Sequence, residues 1–343
     1  METDTATPTA TDVGTTGRTT TGETASAPGR PRRTDEIVLR FLAAPMDITY
    51  GGTVHGGKLL EWIDKAGYAC AVGWSGQYCV TAYVGDVRFT RPVAIGELVE
   101  VAARLINTGR SSMHIIVTIR AADPRTGFFT DATRCLTVFV AVDGRGKSVP
   151  VPTWEPGSAE DADLQQAAVS RIEVRADIEA AMKEQTYSDA GTAPESTLRF
   201  LAAPTDVNWG GKVHGGTVMR WIDECAYVCA VGWSKSTAVA SYAGGVRFYR
   251  PLQIGSLVET RARMVHTSDT TMHISVHVRS GDPRTGELAL TTHCLIVFVA
   301  VDDAGARVTV PVWEPNSPED RALDEHARQL IELRTHANPF VDE

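Results

Sequence analysis

Residues 56–73 read GGKLLEWIDKAGYACAVG, and residues 215–232 read GGTVMRWIDECAYVCAVG. Each stretch is apolar nearly all round, so a helix built from it is buried on most sides rather than lying on a surface. The paired glycines that precede each helix and the glycine at its end, Gly73 in the first copy, suit a start and a stop. One residue is out of character. Asp64 lies mid-helix between Trp62-Ile63 and the run from Ala66 to Val72, and Asp223 repeats it. An ionised carboxylate inside an apolar helix is costly unless it is partnered. Two readings are open. One is a solvated Asp on a single polar stripe with Glu61 and Lys65; the other is a general base or nucleophile whose pKa is tuned by its surroundings.

Working outward, the two helices belong to a tandem repeat. FLAAP, HGG, WID, VGWS, VRF-x-RP, DPRTG, VFVAVD and WEP occur twice in the same order, at a constant offset of 159 residues. From Phe41 to Pro156, about 64 of the 116 aligned positions are identical, far beyond chance. The period is too long for a solenoid unit and fits a duplicated domain. After each helix come runs rich in β-branched and aromatic residues: 80–89, 98–108, 113–121 and 134–142 in the first copy. Gly109-Arg110 and Asp123–Gly127 are the turns between them. Long adjacent strands joined by short turns make an antiparallel sheet, and one buried helix beside it predicts a sheet curled around that helix. The fold class is therefore α+β. Residues 34–156 form a first domain and 195–316 a second. Residues 157–194 are a helix and linker, and 317–343 a C-terminal helix with the same spacing of apolar residues.

Residues 1–33 contain almost no large apolar side chain and read as a disordered tail, with no apolar segment of a secretory signal. With 33 Lys and Arg against 42 Asp and Glu, the net charge of −9 argues against nucleic acid as a partner. No apolar run approaches the roughly 18 residues of a membrane helix, so no membrane is expected as a partner. The six cysteines show neither C-x-x-C nor zinc spacing, which predicts no metal and reduced core thiols in a cytoplasmic protein.

Upstream of each helix is a compact loop, PMDITYGGTVHGG at 45–57 and PTDVNWGGKVHGG at 204–216. Its second glycine pair opens the helix, where free N–H groups and the helix dipole favour a negative oxygen. That is the chemistry of an oxyanion hole, here with Gly57 and Gly216. Coupled to a mid-helix Asp, it suggests an acyl-transfer site.

The ordered set of loop-HGG, helix with WID, V-T-A-x-V-x-x-V-R-F-x-R-P, G-R-S-S-M and F-V-x-V-D resembles the acyl-CoA thioesterases of the hotdog fold. It is most similar to the cytosolic acyl-CoA hydrolases with two fused hotdog domains. The resemblance covers about residues 36–156 and 195–315. It implies a central helix wrapped by an antiparallel sheet, two domains side by side, and composite sites at their interface. It also implies a homo-oligomer, a trimer of such double units. The family's helix carboxylate falls on Asp64 and Asp223 as catalytic residues. Its loop Asn falls on Asn208, and the first loop departs from the pattern with Thr49. Each site takes its loop from one domain and its carboxylate from the other. Asp64 is thus expected to face Asn208 and Gly216, and Asp223 to face Thr49 and Gly57.

The reaction so implied is hydrolysis of fatty acyl-CoA, with coenzyme A present only as part of substrate and product and no other cofactor. Arg88, Arg91, Arg247 and Arg250 of the VRF-x-RP motifs suit phosphate oxygens. By resemblance, CoA contacts also fall on Thr81, Ala82, Tyr83, Val84, Arg110, Ser111, Ser112, Met113, Ser241 and Tyr242. Asp269 stands where the first copy has Arg110, a charge that repels phosphate. His55 and His214 read as structural support for their loops, having no Cys, Ser or metal-ligand partner at a catalytic spacing. Two other functions compete. A hotdog hydratase or dehydratase has a His five residues after the Asp, where this chain has Ala69. A non-catalytic acyl-CoA sensor has no need to keep both carboxylates.

Overall fold

A computed structural model describes residues 33–47 and 52–336. The N-terminal tail, Thr49 and the last seven residues of the C-terminal segment lie outside the described residues. Each half begins with a strand, β1 (Glu36–Leu42) or β6 (Glu195–Leu201), followed by a single 3-10 turn and a 20-residue helix, α1 (Gly56–Ser75) or α3 (Gly215–Ser234). Four long strands follow: β2 (Cys79–Phe89), β3 (Leu98–Thr108), β4 (Ser112–Ala122) and β5 (Thr130–Ala141) in the first half. In the second they are β7 (Thr237–Phe248), β8 (Leu257–Thr267), β9 (Thr271–Gly281) and β10 (Ala289–Val301).

All pairings are antiparallel, and the strands form one ten-stranded sheet in the order β1-β3-β4-β5-β2-β7-β10-β9-β8-β6. The halves join at β2 and β7, where Tyr83 pairs with Arg247, Val84 with Val246, Val87 with Ala243 and Arg88 with Tyr242. The 159-residue offset turns this set of pairs into itself, as a two-fold relation between the repeats requires. Each half has the helix-on-sheet arrangement expected of a hotdog.

The helix start is as expected, but the helix does not stop at Gly73. It runs on to Ser75 and ends at Gly76, whose φ of 66° gives the left-handed cap that glycine adopts without cost. The second helix ends at Lys235 in the same conformation. Ile63, Ala66, Cys70 and Ala71 are buried on α1 against Leu105, Ile115, Val117 and Phe139 of the sheet. All six cysteines are free and buried, and burial pushes the thiols of Cys70 and Cys229 up to about 12. All six are core residues, and the raised thiols of Cys70 and Cys229 are not nucleophiles at neutral pH.

Alternate residues point to the other face of the sheet, where two further helices lie. Leu164 and Ala168 of α2 (Ala159–Lys183) pack on Ile106, Ile116 and Leu136 of the first half. Farther along the same helix, Ile178 and Met182 pack on Val265 and Leu295 of the second half, together with Leu323, Ala327 and Leu330 of α4 (Pro318–His336). The connection after α2 is held by Ser188 N–H donating to Glu319 at 2.9 Å and Thr192 N–H donating to Asp320 at 2.9 Å. One helix thus ties both repeats together. Among the described residues, no helix is long and apolar enough to cross a membrane, and no cluster of three or more His, Cys, Asp or Glu is placed to hold a metal ion.

Candidate active site

The loops before α1 and α3 are set by their aspartates. Asp47 accepts from Ala44 N–H at 3.0 Å and Asp206 from Ala203 N–H at 2.8 Å, closing each 3-10 turn. Their backbone carbonyls then accept from His55 and His214 N–H, which aligns each histidine as the N-cap of its helix. The histidine Nδ1 atoms lie 3.0 Å from Gly57 N and 3.1 Å from Gly216 N.

The first turns of α1 and α3 pass each other closely and antiparallel. A Cβ on Gly57 would lie 2.7 Å from Arg220 Cα, and one on Gly216 2.7 Å from Glu61 Cα, so only glycine allows the approach. Arg220 Nε donates to Glu61 at 2.9 Å across the crossing. This contact carries each helix start to the carboxylate of the other repeat.

Asp64 is 2% exposed, so the solvated-stripe reading does not hold. Its Oδ2 accepts from Gly216 N–H at 2.8 Å and lies 2.9 Å from His214 Nδ1, both in the second half. Its Oδ1 accepts from Thr81 Oγ1 at 2.6 Å, on β2 of its own half. Both oxygens of the carboxylate are therefore fixed, in the positive field at the start of α3.

Asp223 is 4% exposed and lies 2.8 Å from His55 Nδ1. Its Oδ1 has no hydrogen-bond partner among the described residues. Ala240 stands where the first half has Thr81, and a methyl group donates nothing. Burial works against protonation of His55, but the hydrogen bond and charge of Asp223 outweigh it, and the pKa of His55 is raised.

Several expected roles change. Gly216 N–H, expected to polarise a substrate carbonyl, is donated to Asp64 in this state, so a substrate oxygen must compete with the carboxylate for it. Asn208 serves its own loop. Its Oδ1 accepts from Gly210 and Lys212 N–H at 2.9 and 3.0 Å, and its Nδ2 lies 3.4 Å from Val213 O, an Asx turn rather than a contact with Asp64. Thr49 lies outside the described residues. The histidines do more than support loops, since each reaches the opposite carboxylate; Thr81, expected on CoA, instead holds Asp64. The signal for both was the pairing of positions across the repeat: His conserved in both loops, Thr in one strand and Ala in the other.

The expected CoA residues divide. Val84 and Met113 are fully buried in the core and present no surface to a ligand. Arg91 is held by Glu97, with Nη2 to Oε1 at 2.6 Å, and Arg247 pairs with Glu179 of α2, on the face of the sheet away from the helix carboxylates. Ser241 donates to Val297 O at 3.2 Å. The Tyr83 and Tyr242 rings fold back over Gly85 and Gly244 of their own strands, each within 2.4 Å of where a Cβ would stand. Arg88, Ala82, Ser111 and Ser112 are half-buried, and Arg110 and Arg250 are exposed.

A family model of the thioesterase superfamily matches residues 51–128 and 210–287, one match per repeat. The cytosolic acyl coenzyme A thioester hydrolase of Homo sapiens is 24% identical over 318 residues, covering 86% of this chain and 83% of that protein. The protein VdlD of Helicobacter pylori is 28% identical over 147 residues, 43% of this chain and 84% of its own length. A crystallised hexameric acyl-CoA thioesterase is 32% identical over 43% of this chain and 94% of that one, with a TM-score of 0.41.

Proposed function

The chain belongs to the thioesterase superfamily, as a tandem hotdog member alongside the acyl-CoA hydrolases, and from that premise we propose that it hydrolyses fatty acyl-CoA to free fatty acid and CoA at composite sites between its halves. The observation that carries this reading is Asp64. A buried carboxylate of the first repeat is held by a helix-start N–H and a histidine of the second, and by Thr81. Buried carboxylates persist where they are hydrogen-bonded and used.

Oriented by Thr81, and released from Gly216 N–H when a substrate oxygen takes that donor, Asp64 is suited to accept a proton. It takes one from water as the water oxygen attacks the thioester carbonyl carbon. The C–S bond then breaks, and the CoA sulfur leaves with that proton. The N–H groups at the start of α3, Gly216 among them, stabilise the oxyanion once the carboxylate shifts off Gly216. The chemistry needs no cofactor beyond the CoA of the substrate. The Asp223 site keeps its carboxylate without the hydroxyl that fixes it, which favours binding with weaker turnover there. We place the enzyme in the cytoplasm, and assign its assembly to a trimer of double units.

The test is thiol release from acetyl- through palmitoyl-CoA by the full chain, run beside hydration of an enoyl-CoA. Thiol release without hydration is the expected result. Binding of acyl-CoA with no release identifies a sensor, and hydration identifies the rival enzyme.

A further inference from the structure

Glu61 and Arg220 are the same position of the two repeats, 159 residues apart, and they form an ion pair: Arg220 Nε donates to Glu61 Oε1 at 2.9 Å. A contact between equivalent residues is made on the two-fold axis that relates the repeats. In a pair of identical units that place holds the same residue twice; here it holds opposite charges. The charged positions one turn to either side also change between the copies. Lys58 and Lys65 of α1 correspond to Thr217 and Glu224 of α3, while the WID motif between them is kept. Within α1, Lys58 Nζ lies 3.4 Å from Glu61 but 3.0 Å from Asp47 of its own loop. Within α3, Arg220 Nη1 donates to Glu224 at 2.7 Å, leaving its Nε to reach across the axis.

This axial pair lies against both helix starts. Glu61 Cα is the atom that a Cβ on Gly216 would meet, and Arg220 Cα the one that a Cβ on Gly57 would meet. Glu61 stands three residues before Asp64, and Arg220 three before Asp223, so each carboxylate has one member of the pair a helical turn away. The reach of Gly216 N–H to Asp64, 2.8 Å, depends on that close approach. The Glu61 side chain is 13% exposed and that of Arg220 31%, so water screens them incompletely and a like charge in either place is costly. Two first halves paired in this way would set Glu61 against Glu61, and two second halves Arg220 against Arg220. A pair of first halves would also change the site, because Asp64 and Thr81 would meet the loop at 45–57 in place of the loop at 204–216 that supplies His214.

We propose that Glu61 and Arg220 are a positioning pair on the two-fold axis: their opposite charges admit only unlike halves, and their contact sets the start of α3 against Asp64. The pair fits the helix start of one repeat to the other repeat and repels a second copy of itself, which is how like charges suppress a wrong partner. Its consequence is chemical as well as structural. Only the unlike pairing joins the Thr81-held carboxylate to Gly216 N–H and His214. The positioning role rests on the acyl-CoA reading of the Asp64 site; the pairing role does not.

The experiment reverses the charges singly and together in the full chain. Arg220→Glu gives the chain the two-carboxylate contact of a first-half pair, and Glu61→Arg the two-guanidinium contact of a second-half pair. Urea midpoints are measured for each, with kcat and KM by thiol release from the acyl-CoA that the parent turns over fastest. Each single reversal should lower the midpoint and lower kcat per folded molecule at least about tenfold, with KM changed less, because a shift of the α3 start misplaces the donor at the reacting carbonyl. The double variant, Glu61→Arg with Arg220→Glu, should recover the midpoint and bring kcat back to within about threefold of the parent. A double variant no better than the worse single overturns the proposal. Midpoints that fall and recover while kcat stays at the parent value overturn the positioning role. If the reversed chains do not fold, Glu61→Gln, Arg220→Gln and their combination decide it, and strictly additive losses overturn the pair. No thiol release by the parent chain overturns the acyl-CoA reading and the positioning role with it, while the midpoints still decide the pairing.

Discussion

Asp64 and Asp223 occupy equivalent positions on two near-copies of one helix, in the same WID motif, and both are buried. Asp64 is fixed at both oxygens, by Thr81 on one and by Gly216 N–H and His214 on the other. Asp223 keeps the histidine, and its Oδ1 has no partner among the described residues. Duplication preserved the costly group in both halves and the full hydrogen-bond shell in only one. Position on the helix makes a carboxylate available; its donors determine whether it is held in one orientation for proton transfer. The sharpest way to break the comparison is to remove each carboxylate in turn. Asp64→Asn should lower kcat for a short acyl-CoA by about 100-fold or more, the loss expected of a general base. Asp223→Asn should lower it less than about twofold if, as proposed, Asp223 belongs to a second site of weaker turnover. Equal losses measured by thiol release would show that the sites work alike.

The next effect isolates one hydroxyl. Thr81→Ala removes from the first site the hydroxyl that Ala240 lacks in the second, leaving Asp64 held only from the other half by Gly216 N–H and His214. A lost hydrogen bond to a charged group costs about 1.5 kcal/mol, so kcat should fall about tenfold with little change in KM. Ala240→Thr is the converse. In an Asp64→Asn background, it should raise the residual turnover several-fold by giving Asp223 Oδ1 its donor. No gain from Ala240→Thr alongside a normal melting temperature would place the inequality of the halves elsewhere, in the loops.

Much of this was legible in sequence because repetition exposes exceptions. The apolar periodicity of 56–73 predicts a buried helix, and Asp64 stands out against it; the strand-and-turn pattern predicts the antiparallel sheet. The site's asymmetry was legible too, but its seat was not. The loop motif draws attention to Asn208 and Thr49, yet Asn208 spends its side chain on Gly210, Lys212 and Val213. Thr81 and Ala240 sit in strands whose composition says nothing of direction, and only the bulged register of β2 and the helix crossing bring Thr81 to Asp64. The arginines illustrate the same limit: Arg91 and Arg247 carry suitable charge for phosphate, but Glu97 and Glu179 meet them first. Long-range ion pairs depend on which helix crosses which strand, and no local pattern encodes that.

The smallest expected effect concerns the outer faces of the halves. In the second, His277 and His293 stack at 4.0 Å beneath Tyr187, with Ser275 Oγ 2.8 Å from His293 Nε2. Thr118 and Arg134 stand at the matching places in the first half. Burial, followed by His326, pulls the pKa of His293 down to about 3. Burial, followed by His293 and then Arg279, Arg263 and Arg261, holds that of His277 well below its ordinary value. The folded state therefore binds fewer protons at these rings than the unfolded chain once the pH is below about 6.5, and stability falls as the pH falls through that value. His55 has the opposite sign. Its raised pKa contributes stability that is present below about 6.5 and lost as the pH rises through the folded value. Two depressed groups against one raised group give a net loss of stability on acidification. Urea midpoints should thus fall from pH 7 to pH 5. His277→Thr combined with His293→Gln, which keeps a polar partner for Ser275, should flatten that slope without altering turnover per folded molecule at pH 7. An unchanged slope would assign the acid sensitivity to the paired carboxylates of both halves, and the outer faces would then differ in sequence without differing in stability.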